Sequence, residues 1–183
     1  MIGAGFDALL VAAQAGDEVA VGSLYRDLNP TLVRFLGAQA ACAGEDLAQD
    51  VWLAAANGLA SFSGDEDGFR AWMFTIARRQ LISHWRRAGR RPQQVVDPAH
   101  LPEPAASSEA APDSRILADE AVLALVAGLP REQAEIVLLR VVGGFDAEQV
   151  GAIVGKRAST VRVLQHRALR RMARRFAEES VTK

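Results

Sequence analysis

Arginine is the residue best placed to do chemistry in this chain, and its spacing points to contacts with nucleotides. Residues 69–91, FRAWMFTIARRQLISHWRRAGRR, carry seven arginines and no acid. At helical spacing Trp72, Thr75, Arg79, Ser83 and Arg86 fall on one face. A face that combines a ring, hydroxyls and guanidiniums suits single-stranded DNA, because bases stack on the ring while arginine follows the phosphates. Just before it, the polar stretch Ser61 to Gly68, with Ser61 and Phe62 at its start, is expected to be a flexible loop that can line a pocket for an unstacked base. Taken singly, the aromatic residues read equally well as packing groups, with Phe74, Leu81 and Trp85 as an inward stripe.

A second basic run, Gln149 to Ala177, holds seven arginines and one lysine, again without acids. Val161, Leu164, Ala168 and Met172 repeat there as a buried helical stripe. Ser159, Thr160, Arg162, Val163, His166 and Arg170 lie on the other side. Arginine forks onto guanine O6 and N7, and valine can touch a thymine methyl. Arg167, Arg171, Arg174 and Arg175 extend the basic surface and suit phosphates. The competing reading is a solvated arginine-rich helix that closes a bundle.

Acidic residues gather elsewhere: six lie between Gly44 and Asp67, with no basic residue among them. Asp46, Gln49, Asp50 and Leu53 align as a stripe, opposite Leu47, Val51 and Ala55, with Trp52 at the boundary. An acidic stripe with an apolar leucine can dock a basic, partly apolar partner; alternatively it is a solvated helix face. The formal net charge of −1 hides this segregation, yet it is local charge that a partner meets.

Catalysis is not expected. His84, His100 and His166 are scattered, and neither an HExxH motif nor a glycine-rich phosphate loop is present. Cys42 is the single cysteine, which excludes an internal disulfide and a cysteine-based zinc cluster. No catalytic residue, metal site or cofactor is therefore expected. No apolar run approaches the roughly 20 residues that span a bilayer, and the N-terminus lacks a basic signal-peptide region. A cytoplasmic protein without membrane insertion is expected.

The elements that must position these faces read as all-α. Helices are predicted at roughly 5–15, 17–28, 31–41, 45–60, 69–90, 114–128, 131–142, 146–154 and 158–177, with Pro30 and Pro130 at helix starts. Ala134, Val137, Leu138 and Val141 form a buried face after Pro130. Asp146 stands as an N-cap with Gln149 three residues on, and Gly155 supplies a turn. Helix, tight turn and longer basic helix together match a helix-turn-helix. Five of the seven prolines fall between Arg91 and Asp113, in a stretch without periodicity. The expected architecture is two small helical domains, 1–91 and 114–183, joined by a flexible Pro/Ala-rich linker, 92–113.

In this order the pieces YRDLNPTLVRFL, DLAQDVWLAAANGLASF and FRAWMFTIARRQLISHWRR, then LPREQAEIVLLRVVGGFDAEQVGAIVGKRASTVRVLQHRALRRM, resemble regions 2 and 4 of the sigma-70 family, in its extracytoplasmic-function (ECF) branch. The resemblance implies a non-enzymatic initiation factor that brings core RNA polymerase to promoter DNA. Asp46, Gln49, Asp50, Trp52 and Leu53 match the segment that binds the clamp of the largest subunit. The loop Ser61 to Gly68, with Ser61 and Phe62, and the helix from Phe69 match the parts that recognise and melt the −10 element. Arg162, Val163, His166 and Arg167, with Ser159, Thr160, Arg170 and Arg171, match the helix that reads −35 duplex. The resemblance also implies a contact with the flap of the second-largest subunit and an anti-sigma partner. No stretch resembles regions 1.1 or 3; the linker is expected to replace region 3 and run near the RNA exit path, and the tail after Arg175 to leave no room for another domain. KRAST offers no good N-cap for the −35 helix. The alternative is a stand-alone helix-turn-helix regulator of duplex operators, which leaves the acidic and aromatic faces unused.

Overall fold

The computed structural model describes residues 2–89, 123, 124 and 126–181. The predicted linker 92–113, His100 and most of the predicted helix 114–128 lie outside the described residues. Those described form seven α-helices and two short 3₁₀ turns.

Four helices make the N-terminal half: α1 (Phe6–Gln14), α2 (Glu18–Gly37), α3 (Gly44–Leu59) and α4 (Glu66–Arg87). Asp17 caps α2 by accepting from the amides of Val19 and Ala20, and Asp65 caps α4 by accepting from that of Gly68; each satisfies amides that a helix start leaves without partners. Phe6 and Leu10, Leu24 to Leu36 on α2, Leu47 and Val51, and Phe69 to Leu81 on α4 build one core. Phe35 and Phe74 meet edge-on with ring centroids 5.1 Å apart. The amides of Ile2 and Gly3 both donate to the Glu66 carboxylate, which ties the N-terminus to the start of α4.

Two expectations are corrected here. Residues 17–28 and 31–41 are not separate helices; α2 runs through Pro30 without a break. An interior proline loses one backbone bond and crowds the carbonyl four residues back. Leu24, Leu28, Leu32, Phe35 and Leu36 are buried on both sides of it, so breaking the helix would remove half of that stripe from the core. The stretch Ser61–Gly68 is not all loop either, because α4 starts at Glu66. What remains is anchored, with Gln14 Nε2 donating to the carbonyls of Leu59 and Phe62.

The C-terminal half contains α5 (Arg131–Val141), α6 (Ala147–Val154) and α7 (Ala158–Val181). Asp146 and Gln149 form the reciprocal capping box expected at the start of α6. Gly155 ends α6 in the left-handed region, φ 71°, where a side chain would be strained. Gly151 is required for another reason: a Cβ there would lie 2.6 Å from the Lys156 carbonyl, so the turn and α6 approach too closely for any side chain. α7 runs to Val181, four residues beyond the expected end.

The expected buried face of α5 is wrong in one position. Val141 is 58% exposed, whereas Ile136 and Leu139, outside the predicted stripe, are fully buried. α5 packs against both α7 and α6, so more than one side of it is covered. α4 packs against α6 and the loop before it, and Phe145 sets its ring edge against Phe74 at 5.0 Å. The two halves are thus in direct contact.

Candidate polymerase and nucleic-acid interfaces

The acidic stripe lies on α3, whose opposite side is locked into the core by Leu47, Val51 and Ala55. That leaves Asp46 and Gln49 exposed, Asp50 half-buried and Leu53 68% exposed. Trp52 is held at the edge of this face: its Nε1 donates to Asn29 Oδ1 at 3.1 Å, and its ring lies 5.2 Å from that of Tyr25. Tyr25, Gln49, Trp52 and Leu53 line an open groove of about 550 Å³ whose walls are largely apolar. Asn29 and Tyr25 escaped the sequence reading, because nothing local connects α2 to a tryptophan 23 residues later.

Along α4 the predicted face divides. Arg79, Ser83 and Arg86 are exposed near its C-terminal end. Trp72 and Thr75 are half-buried, and the Thr75 hydroxyl donates to the Ala71 carbonyl. Phe62 and Trp72 stack with centroids 5.2 Å apart, and both also pack against Phe69. The rings therefore form a braced ledge, with Ser61 exposed beside it. A ledge whose rings are already fixed loses little side-chain freedom when a base stacks on it.

The α7 face is open. Ser159, Thr160, Arg162, Val163, His166, Arg167 and Arg170 are all exposed, on a helix held from behind by Val161 and Ala168. Arg162 pairs with Glu148 at 2.6 Å, both side chains being mostly in solvent, so the pair is weak and easily exchanged for a phosphate or base. Arg171 instead donates to Gln133 Oε1, and Arg175 to the Ala127 carbonyl. These two arginines brace α7 against the segment leading into α5 and α5 itself.

The described residues thus present an all-helical scaffold with one acidic apolar ridge and two arginine-bearing faces, the second on a helix-turn-helix: the layout of a DNA-binding transcription protein with a separate protein-docking surface. Residues 23–91 match the family model described as Sigma-70 region 2, and residues 119–172 match that of Sigma-70, region 4. The ECF RNA polymerase sigma factor SigD of Mycobacterium tuberculosis is 33% identical over 181 residues, 94% of this chain and 84% of the relative. ShbA of Streptomyces griseus, also an ECF RNA polymerase sigma factor, is 34% identical over 94% of this chain and 95% of its own. Among solved structures, the complex of the sigma factor RpoE with the anti-sigma factor NepR from Bartonella quintana holds a similar chain: TM-score 0.63, 27% identity, covering 83% of this chain and 93% of that one. CnrH, solved with the cytosolic domain of CnrY, shares the fold, with a TM-score of 0.65 at 20% identity over 93% of this chain and 96% of that one. The chain belongs to the sigma-70 family, among the ECF RNA polymerase sigma factors. No helix among the described residues is long and apolar enough to cross a membrane.

Proposed function

We propose that this chain binds core RNA polymerase through α3, anchors −35 duplex with α7 and captures melted −10 strand on α4, acting in the cytoplasm without catalysis. The observation that carries this reading is the separation of faces. Asp46, Gln49, Asp50 and Leu53 point outward from a helix locked by its other side, while Arg79, Ser83 and Arg86 and the Ser159 to Arg170 face stand on different helices. In this reading residues 1–91 take the polymerase and −10 roles, 92–113 link, and 114–183 take the −35 role and contact the polymerase flap. The region 2 match over 23–91 weighs against a stand-alone operator-binding regulator, which has no use for that half.

Strand separation costs roughly 1.4 kcal/mol per base-pair step, and stacking of each captured base returns about 1–3 kcal/mol. The Phe62–Trp72 ledge is suited to that capture, and Arg79 and Arg86 to the adjoining phosphates. Because RpoE is solved with an anti-sigma factor, an anti-sigma partner is proposed for this chain too.

Run-off transcription with core enzyme and genomic DNA tests the reading. Transcripts starting at sites dependent on this protein are expected. Asp50→Arg should abolish both these transcripts and co-purification with core enzyme while leaving the helical content unchanged. Absence of any dependent start site would overturn the proposal.

A further inference from the structure

Arg162, Arg167 and Arg170 share the outer face of α7, but they are not equivalent. Arg162 Nη2 donates to Glu148 Oε1 at 2.6 Å, whereas Arg167 and Arg170 have no carboxylate partner among the described residues. Glu148 reaches this face from α6, across the tight turn. The backbone fixes that approach. Val150, Ile153 and Val161 are buried behind the pair, and α6 lies so close to the Lys156 carbonyl that Gly151 has no room for a Cβ. Between residues 146 and 177 the acids are Asp146 and Glu148. The Asp146 carboxylate accepts from the Gln149 amide in the capping box, which leaves Glu148 as the acid that meets the reading face.

Arg162 lies in the second turn of α7, the end of a recognition helix that meets base edges. A guanidinium presents five N–H groups. Guanine O6 and N7 take two of them in a bidentate contact, so a base contact leaves an N–H on which Glu148 can remain. A phosphate is different. It is a second anion, and drawing Arg162 onto the backbone parts it from Glu148 and brings the bared carboxylate close to DNA. Glu148 therefore opposes a phosphate contact more than a guanine contact. With 60% and 64% of the two side chains in solvent, such a pair shifts an equilibrium by at most about fivefold. That is too little to block binding and enough to alter a preference, because discrimination is a difference of affinities that a repulsive group can enlarge.

We infer that Glu148 is a positioning residue, which reserves Arg162 for a base and withholds it from the DNA backbone. The inference rests on the proposed −35 reading and deepens it: the sequence preference of α7 is set in part from α6, by a carboxylate acting through Arg162.

The full chain is tested on a pool of duplexes of randomised sequence and on one fixed duplex that the pool does not enrich. Sequencing the bound fraction gives the base preference at each position. Titrating the fixed duplex at several salt concentrations gives the slope of nonspecific binding. Wild type should enrich guanine at one position, and Arg162→Ala should lose that preference while keeping the others. Glu148→Gln should lower the same guanine enrichment about two- to fivefold and leave the other positions unchanged. It should also tighten the fixed duplex by up to about fivefold and steepen its log K against log salt by about 0.9, the mark of one added phosphate contact. In the Arg162→Ala background, Glu148→Gln should leave both the enrichment and the slope as they are. Circular dichroism and thermal melts check that each variant remains folded. Guanine enrichment that is unchanged or raised by Glu148→Gln overturns the assignment. So does an equal change of slope without Arg162, since Glu148 would then only repel DNA. A wild type that enriches no sequence at all sinks the −35 reading itself, and this assignment with it.

Discussion

Leu53 and Val51 lie two residues apart on α3 and should fail in opposite ways when shortened to alanine. Val51 is fully buried in the core and Leu53 is 68% exposed on the acidic face. Removing two buried carbons from Val51, with the cavity that remains, should cost about 2 kcal/mol of folding stability. Leu53→Ala should leave folding almost unchanged, because little of that side chain leaves water on folding. Its effect belongs to the complex. Fully burying a leucine is worth about 1.5–3 kcal/mol; two-thirds of the side chain remains to be covered, and alanine keeps Cβ, so the expected loss is about 1–2 kcal/mol. That corresponds to roughly 5- to 30-fold in Kd. Titrating fluorescently labelled protein with core polymerase, alongside thermal melts of the free variants, separates the two effects. A Leu53→Ala protein that binds as the wild type does would remove α3 from the docking surface. A lowered melting temperature for that variant would show that the Leu53 side chain packs in the folded chain.

The other faces make their own predictions. Arg79→Ala should weaken binding to a single-stranded −10 oligonucleotide and flatten the dependence of log K on log salt by about 0.7; an unchanged slope would mean that Arg79 touches no phosphate. Glu148→Gln should modestly tighten −35 duplex binding, because it turns the Arg162 ion pair into a weaker neutral hydrogen bond and removes a negative charge beside DNA; weaker binding in a gel-shift titration would refute this. Gly151→Ala should destabilise the C-terminal half by about 1–3 kcal/mol through overpacking against the Lys156 carbonyl, seen as a lower melting temperature and lost duplex affinity. Glu135 is raised in the folded chain, by burial first, with Arg78 and Arg131 lowering it and Glu132 adding to the rise. A raised carboxyl binds its proton more tightly when folded, so its contribution is complete below its ordinary value and is lost as pH rises through the raised one. Wild type should therefore lose stability relative to Glu135→Gln across that window; parallel melting curves from acid to neutral pH would contradict the burial.

What was legible in the sequence was what local rules decide. The Asp146–Gln149 box, the Gly155 turn and the Val150, Ile153, Val154 stripe all depend on residues within one or two turns, and all formed as expected. The outward stripe of α3 was readable because Leu47, Val51 and Ala55 mark the buried side. Misreadings occurred where a distant element decided. Pro30 looks like a helix start until five large side chains on both sides of it enter one core. Ile136 and Leu139 look peripheral until α6 and α7 pack around α5. Trp52 carries no local sign that Asn29 holds it, and neither Arg78 nor Glu135 carries a local sign that the other is its partner.

A net charge of −1 is compatible with two DNA contacts because fields in salt are short. At physiological ionic strength the screening length is about 8 Å, comparable to the spacing of neighbouring helices. The acidic ridge on α3 therefore does not cancel the field of Arg79 and Arg86 on the outer face of α4; it makes its own side repel phosphate. On the proposed reading, DNA approaching the N-terminal half would be steered toward α4, and a basic protein surface toward α3, before any contact forms. By the same short range, Glu148, paired with Arg162 on the edge of the α7 face, would tune the proposed duplex binding without altering the field at α3 or α4. Segregation on the scale of one helix, rather than overall charge, is what would let one small chain keep the two proposed kinds of partner apart.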